Sequence, residues 1–371
     1  MKWFIRVSFF VLALIICASG FGKTLNIEDV TFTLVFGIDL NNQGELVFYS
    51  VNPVFGKDVQ ETNEVLTAKA TTSRQFRTEI DKRSSGITIG SKIQVILIGK
   101  KLLRDPKWFS VLDVLYRDFK GTVSSRVIIV DGPVSTVIHY TPKNKPRTAL
   151  FLRSLINTAN LRGETVDITL QELHRQMYDK GITPYISRIK KEKKIILAGS
   201  SLLNKKGQYG VSLTPPETIL LQILKNQTAE YSLTLPVFER KKNHNVIKNM
   251  ISFTAQDVKT KVYTNYTKGE FQFNFQINMQ MVVSERTFPF IMRKDGELFE
   301  QQIEQQLKVQ FQNLIKKIQK NRLDPVGLGL YARAYQYKEF KQVENKWGKA
   351  LSKANINISV NIKTKTMGSM K

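Results

Sequence analysis

Residues able to do acid–base, nucleophilic or metal chemistry are few and scattered in this chain. It has three histidines, His139, His174 and His244, and a single cysteine, Cys17. No histidine has a second histidine or a cysteine at the short spacing that a zinc site needs. The nucleophile elbow, H-E-x-x-H and the P-loop are all missing from the sequence. Gly327 and Gly329 form a lone G-x-G. It follows a helix and a proline instead of a strand, which is the wrong context for a dinucleotide fingerprint. His174 stands beside Arg175 in a predicted helix and reads as a surface histidine. Glu172 and Asp179 are ordinary helix carboxylates. The reading is a non-enzymatic protein with no catalytic, cofactor-binding or metal-binding residue to assign.

Cys17 poses a separate question, because it lies in an export pattern. Lys2 and Arg6 make a basic start, and Val7 to Ala18 is almost wholly apolar but shorter than the ~20 residues of a membrane-spanning helix. Ala18, Ser19 and Gly20 then offer small residues just before Phe21, so residues 1–20 read as a signal peptide. A lipoprotein signal is cut before its cysteine and needs a small residue there. Ile16 before Cys17 is branched and bulky, which argues against lipidation at Cys17. Cleavage after Gly20 would leave no cysteine and no disulfide framework.

The chain has 371 residues, 42% hydrophobic and 23% charged, which is a globular composition long enough for two or three domains. Its 56 Lys and Arg against 31 Asp and Glu give a net charge of +25. Such a charge attracts polyanions. Export makes nucleic acid the least suitable of them and leaves anionic lipid, worth about 1 kcal/mol per juxtamembrane Lys or Arg, or a cell-wall polymer.

The elements follow from hydrophobic spacing. Residues 30–39 and 45–53, around Asn41 to Gly44, predict a β-hairpin. Glu64 to Lys82 reads as a helix, 93–99 as a strand covered on both faces, and Trp108, Val111, Leu112, Leu115 and Tyr116 as the stripe of a helix. A strand at 126–133, helices at 148–160 and 169–180 with Gly181 as C-cap, and a hairpin of 193–203 and 208–214 follow. EFQFNFQINMQMVV, residues 270–283, alternates apolar and uncharged polar residues, as a strand with one dry and one wet face does. Asp295 opens a helix with the stripe Phe299, Ile303, Leu307, Phe311, Leu314 and Ile318. Asp324-Pro325 stops it, a helix carrying Phe340, Val343, Trp347 and Leu351 follows, and 355–366 alternates as an edge strand bearing Lys363 and Lys365.

The fold class expected is α+β: several small domains, mainly antiparallel sheets each packed on helices, with a C-terminal antiparallel sheet covered by long helices. The division expected is a discontinuous hairpin-sheet domain (21–55 with 189–214), an inserted α+β domain (56–188) and a C-terminal α+β domain (215–371).

The stretch LDPVGLGLYARAYQYKEFKQVENKWGKALSKANINISVNIKTKTMGSM resembles the C-terminus of the C subunits of bacterial spore germinant receptors, the Ger(x)C family. Asp324, Gly327, Gly329, Trp347 and the strand Ile356 to Thr366 match in order, with Met367-Gly368 in place of a Thr-Gly. NIEDVTFTLVFGIDL, IQVILIGKKLLRDP and IILAGSSLLNKKGQYGVSL resemble upstream blocks. The resemblance implies three α+β domains. It also implies a non-enzymatic subunit on the outer face of the spore inner membrane, acting with integral-membrane A and B subunits in response to small nutrients. The family's lipid-bearing cysteine falls at Phe21, so lipid attachment there is chemically impossible. The alternative reading is an exported basic protein that binds anionic lipid or cell-wall polymer.

The element to watch is Asp324, Pro325, Gly327, Gly329, Tyr331 and Trp347. It is read first as packing, with Trp347 in the core, and second as a docking edge for a partner subunit, with Tyr331 or Tyr335 exposed.

Overall fold

The computed structural model describes residues 29–55, 61–84, 86–118, 121–140, 146–227, 230–236, 249–288 and 292–366, together with Trp3 and Asn26. Apart from Trp3, residues 1–20, read as a signal peptide and including Cys17, lie outside them, as do Phe21, His244 and Met367-Gly368.

β1 (Val30–Phe32) pairs in parallel with β5 (Ile87–Ile89) in a small two-stranded sheet. The main sheet has eight strands: β2 (Val35–Leu40), β3 (Leu46–Pro53), β4 (Asn63–Lys69), β6 (Val95–Gly99), β7 (Arg126–Val130), β8 (Tyr185–Lys191), β9 (Ile195–Leu203) and β10 (Tyr209–Leu213). Their spatial order is β10-β9-β8-β7-β6-β2-β3-β4. The middle, from β8 to β2, is parallel, and the flanking hairpins are antiparallel.

This pairing corrects the expected division. The two predicted hairpins do share a sheet, but at its opposite sides. The strands between them come from 95–99 and 126–130, so residues 56–188 supply the middle of that sheet and are not a separate insert. β6 and, from Val127 on, β7 are apolar without interruption because helices cover both faces.

Along the chain these helices are α1 (Ser73–Asp81), α2 (Asp113–Arg117), α3 (Val134–Ile138), α4 (Thr148–Leu161) and α5 (Leu170–Tyr178). Val95 and Leu97 enter a core with α3 and α4, whereas Ile96 and Ile98 enter a second core on the other face.

Two further expectations change. Glu64 to Lys82 is not one helix: 63–69 pairs with β3, and a helix begins only after Thr72, whose side chain accepts from the Gln75 N–H. The strand pairing of Val65 and Leu66 overrides a local pattern that also fits a helix. The stripe from Trp108 to Tyr116 lies on a 3-10 turn at Trp108–Leu112 running into the short α2.

α6 (Pro215–Leu224) starts with a capping box of Thr214 and Glu217, and its residues 218–224 are all buried. A helix apolar all round must be enclosed, and this one packs against both β9 and β12. It joins the main sheet to the C-terminal one.

That second sheet runs β11 (Tyr231–Pro236), β12 (Met250–Thr267), β13 (Glu270–Arg286), β14 (Asn355–Thr366). Its first three strands are antiparallel, whereas β14 pairs in parallel with β13 at the edge. The predicted stripe of α7 (Met292–Lys320) is buried against the sheet's apolar face. Its Glu304 and Glu300 accept from the Ile362 and Thr364 N–H groups, at 2.8 and 2.7 Å, which closes the outer side of the edge strand.

The last helix expected, carrying Phe340, Val343, Trp347 and Leu351, is broken by a 3-10 turn at Glu344–Lys346 into α9 (Tyr337–Val343) and α10 (Trp347–Leu351), and a separate helix, α8 (Leu328–Tyr335), precedes it. Among the described residues there are sheets of two, eight and four strands, but the buried residues do not divide into three cores. The larger cluster runs from Phe36 to Ile362 through both large sheets.

Candidate functional site

α7 ends in a Schellman turn. The Leu323 N–H donates to Ile318 O at 3.1 Å and the Arg322 N–H to Gln319 O at 3.0 Å, with Arg322 in the left-handed region at φ 56°. Glycine usually fills that position.

The chain then enters a wholly buried turn at residues 323–329. One Asp324 oxygen accepts from the Gly327 and Leu328 N–H groups, at 2.8 and 2.9 Å. The other accepts from the Gly329 N–H at 2.8 Å and the Trp347 indole N–H at 2.7 Å. Asp324 is thus the acceptor for the free N–H groups at the start of α8. Burial pushes its carboxyl above the usual range, and the four donors act in the opposite direction. All four partners are donors, the pattern that suits an ionised carboxylate. Trp347 stacks edge-on to Phe271 at 5.1 Å and lies 5.3 Å from Phe340.

The same turn is bolted to the segment before β8. The Asp324 N–H donates to Thr183 Oγ1 at 2.7 Å, and the Thr183 N–H donates back to Asp324 O at 2.9 Å. A Cβ on Gly329 would meet Gly181 Cα at 2.7 Å. Gly181 is therefore not the left-handed cap expected for α5, which ends at Asp179 in extended conformation. It is bare so that two backbones can cross.

Beside this turn opens a crevice of about 470 Å³ walled by four segments of the chain. Lys180 and Thr183 come from before β8, Lys205 and Lys206 from the β9–β10 turn, Arg322 from the end of α7, and Lys346 and Lys349 from the start of α10. Its one carboxylate, Glu344, is held by Lys180 at 2.8 Å and Lys341 at 3.1 Å. Lys205 donates to the carbonyls of Gln176, Asp179 and Ile182 at the end of α5. Burial pushes its ammonium down to about 8, opposed by the nearby Asp179.

Other chemistry-bearing residues stay apart. His139 is exposed at the end of α3, with Nδ1 2.9 Å from Ser135 O. His174 is exposed, and its ring lies 4.7 Å from Tyr116 and 4.6 Å from Tyr178. Among the described residues no three His, Cys, Asp or Glu side chains gather as a metal site would require, and no helix is long and apolar enough to cross a membrane.

With this geometry in place, the likeness to known proteins becomes specific. A profile described as "Spore germination protein N-terminal domain" matches residues 23–191. A second, "Spore germination B3/ GerAC like, C-terminal", matches 198–368. The chain belongs to the GerAC-like spore germination family. A solved structure titled "Crystal Structure of the GerBC protein" is similar at 17% identity and a TM-score of 0.58, covering 92% of this chain and 100% of that one. At that identity the likeness speaks for the fold. No curated protein matches by sequence.

In this family member, Asp324, Pro325, Gly327, Gly329 and Trp347, singled out from the sequence, meet in one buried knot. Tyr331 does not have the exposure expected of it. It is half-buried against the core, and burial raises its hydroxyl's pKa. The outward tyrosines are Tyr335 and Tyr337. The backbone approach that the glycines permit is taken up by Gly181 of the same chain.

The cationic crevice was not singled out from the sequence, because its lysines and Arg322 are scattered from 180 to 349. The one local signal is an arginine, instead of a glycine, just past the end of a long helix.

Proposed function

We propose that this chain is the C subunit of a nutrient germinant receptor and that it has no catalytic role. It acts at the outer face of the spore inner membrane, beside integral-membrane A and B subunits, in triggering germination. The observation that carries this reading is the pair of spore germination profiles matching in series over 23–191 and 198–368. With no thiol at Phe21, attachment would rest on charge, on partner subunits or on an uncleaved signal, the first in keeping with a net charge of +25. Tyr335 and Tyr337, exposed at the end of α8 and the start of α9, are the side chains that a docking edge there would use.

In a spore former, removing this chain should abolish the response to at least one nutrient, and a tagged copy should co-purify with two multi-span membrane proteins. Normal germination to every nutrient tried, with no membrane protein recovered, would overturn the reading. The alternative, a basic protein bound directly to anionic lipid, predicts that ~0.5 M salt releases the chain from anionic vesicles through screening and that no membrane subunit is needed.

A further inference from the structure

We propose that the crevice beside the Asp324 knot is a binding site for a phosphate-bearing ligand that carries two or more negative charges.

The first argument is the charge lining it. Six cationic side chains and one carboxylate face a single concavity of about 470 Å³, which is within the size range of small-ligand sites. Glu344 is already neutralised by Lys180 and Lys341. Lys206, Arg322, Lys346 and Lys349 have no carboxylate within ion-pair distance among the described residues. Like charges held around one hollow repel, and a multivalent anion relieves that repulsion.

Arg322 is the second argument. It occupies the left-handed cap of α7 at φ 56°, where a glycine would be free of strain. Its carbonyl lies so close to Gly348 that a Cβ there would sit 2.3 Å from it. The backbone therefore has a stability reason to use glycine at 322 and carries a guanidinium instead. That fork matches the geometry of phosphate oxygens, and the lysines add point charges around it.

The third argument is rigidity. Thr183 and Trp347, both in the crevice wall, are tied to Asp324 by the buried hydrogen bonds given above, so the cations stand on a preorganised base.

The test is calorimetric titration of the mature chain with inorganic pyrophosphate at low salt, alongside flotation with phosphatidylglycerol and phosphatidylcholine vesicles. Arg322→Gly removes the guanidinium while relieving the cap, so its melting temperature should equal or exceed that of the parent. Its pyrophosphate affinity should fall about tenfold or more, as for loss of a charge-assisted contact. Lys206→Gln with Lys346→Gln should do the same. Lys193→Gln with Lys194→Gln, which removes two exposed charges at the β8–β9 turn, should change affinity by less than twofold.

Pyrophosphate binding that Arg322→Gly weakens points to a free phosphorylated ligand. Loss of phosphatidylglycerol flotation in Arg322→Gly, without pyrophosphate binding by the parent, points to a lipid headgroup. Both support the site. No binding in either assay, or equal weakening by the 193/194 pair, overturns it.

Discussion

Along β7, Ile128 and Val130 enter one apolar cluster while Val127 and Ile129 enter another. Along β13, Phe273 and Phe275 are buried while Asn274 and Gln276 face outward. The first strand has helices on both sides and is apolar on both faces from Val127 to Val130. The second has α7 on one side only. The amides of its open face are satisfied sideways: the Asn357 and Asn361 side chains donate to Asn274 and Asn278 at 3.0 and 3.2 Å. The difference shows two ways of protecting a sheet. One encloses it, and the other leaves a face to water but satisfies its side chains laterally. The Asp324 knot lies where the two arrangements meet.

The largest effect expected is at that junction. Trp347→Ala empties a buried aromatic site and removes one of Asp324's four donors, so chemical denaturation should show a loss of about 3–5 kcal/mol. A loss below about 1 kcal/mol would mean that the two sheets are held together elsewhere.

The contrast between the sheets is tested by matched truncations. Ile128→Ala and Ile129→Ala should each cost about 2–5 kcal/mol, since both faces of β7 are core. In β13, Phe275→Ala should cost about 3–5 kcal/mol, whereas Gln276→Ala should stay within about 0.5 kcal/mol. A large cost at Gln276 would place that face in an interface.

Acid should sharpen the comparison further. Burial alone would raise the Asp131 carboxyl, but Lys100 at 2.9 Å and Arg188 at 2.6 Å bring it below the usual 3.8. With the folded value below the unfolded one, the unfolded chain binds the proton more tightly. The stabilisation is therefore present above about pH 4 and lost as pH falls through the folded value. Asp131→Asn should lower stability at pH 7 and make the acid limb of the stability–pH curve shallower. An unchanged acid limb would remove this ion pair from the account.

The smallest effect on stability is expected at Tyr335. It is 70% exposed, so Tyr335→Ala should move the melting temperature by no more than about two degrees. Under the docking proposal it should still weaken co-purification with membrane subunits, and normal recovery would remove Tyr335 from that edge.

How much of this was legible in the sequence varies with the range of the interaction. The period-two strand at 270–283 and the stripe of α7 could be read because each buries one face along its own length. Glu64 to Lys82 misled because Val65 and Ala68 also fit a helical spacing, and only the partner strand β3 decides between the two. In the site, the D-P-x-G-x-G run and Trp347 stood out as motifs, whereas the cations of the crevice did not. Gly181 could be seen as special but was given the wrong reason, since its crossing partner, Gly329, is far away in sequence.

By itself, then, the sequence determined which segments could bury a face, that this is an α+β chain without a readable catalytic set, and, through ordered motifs, its family. Those properties depend on local periodicity and on residue type. Tertiary structure decided that 95–99 and 126–130 lie between the two hairpins, that Asp324 accepts from the Trp347 indole N–H, and that lysines from distant segments share one hollow with Arg322. Each is a pairing across long loops. Closing such loops costs entropy that local residues cannot reveal, and the cost is offset only when the buried surfaces of the whole chain meet.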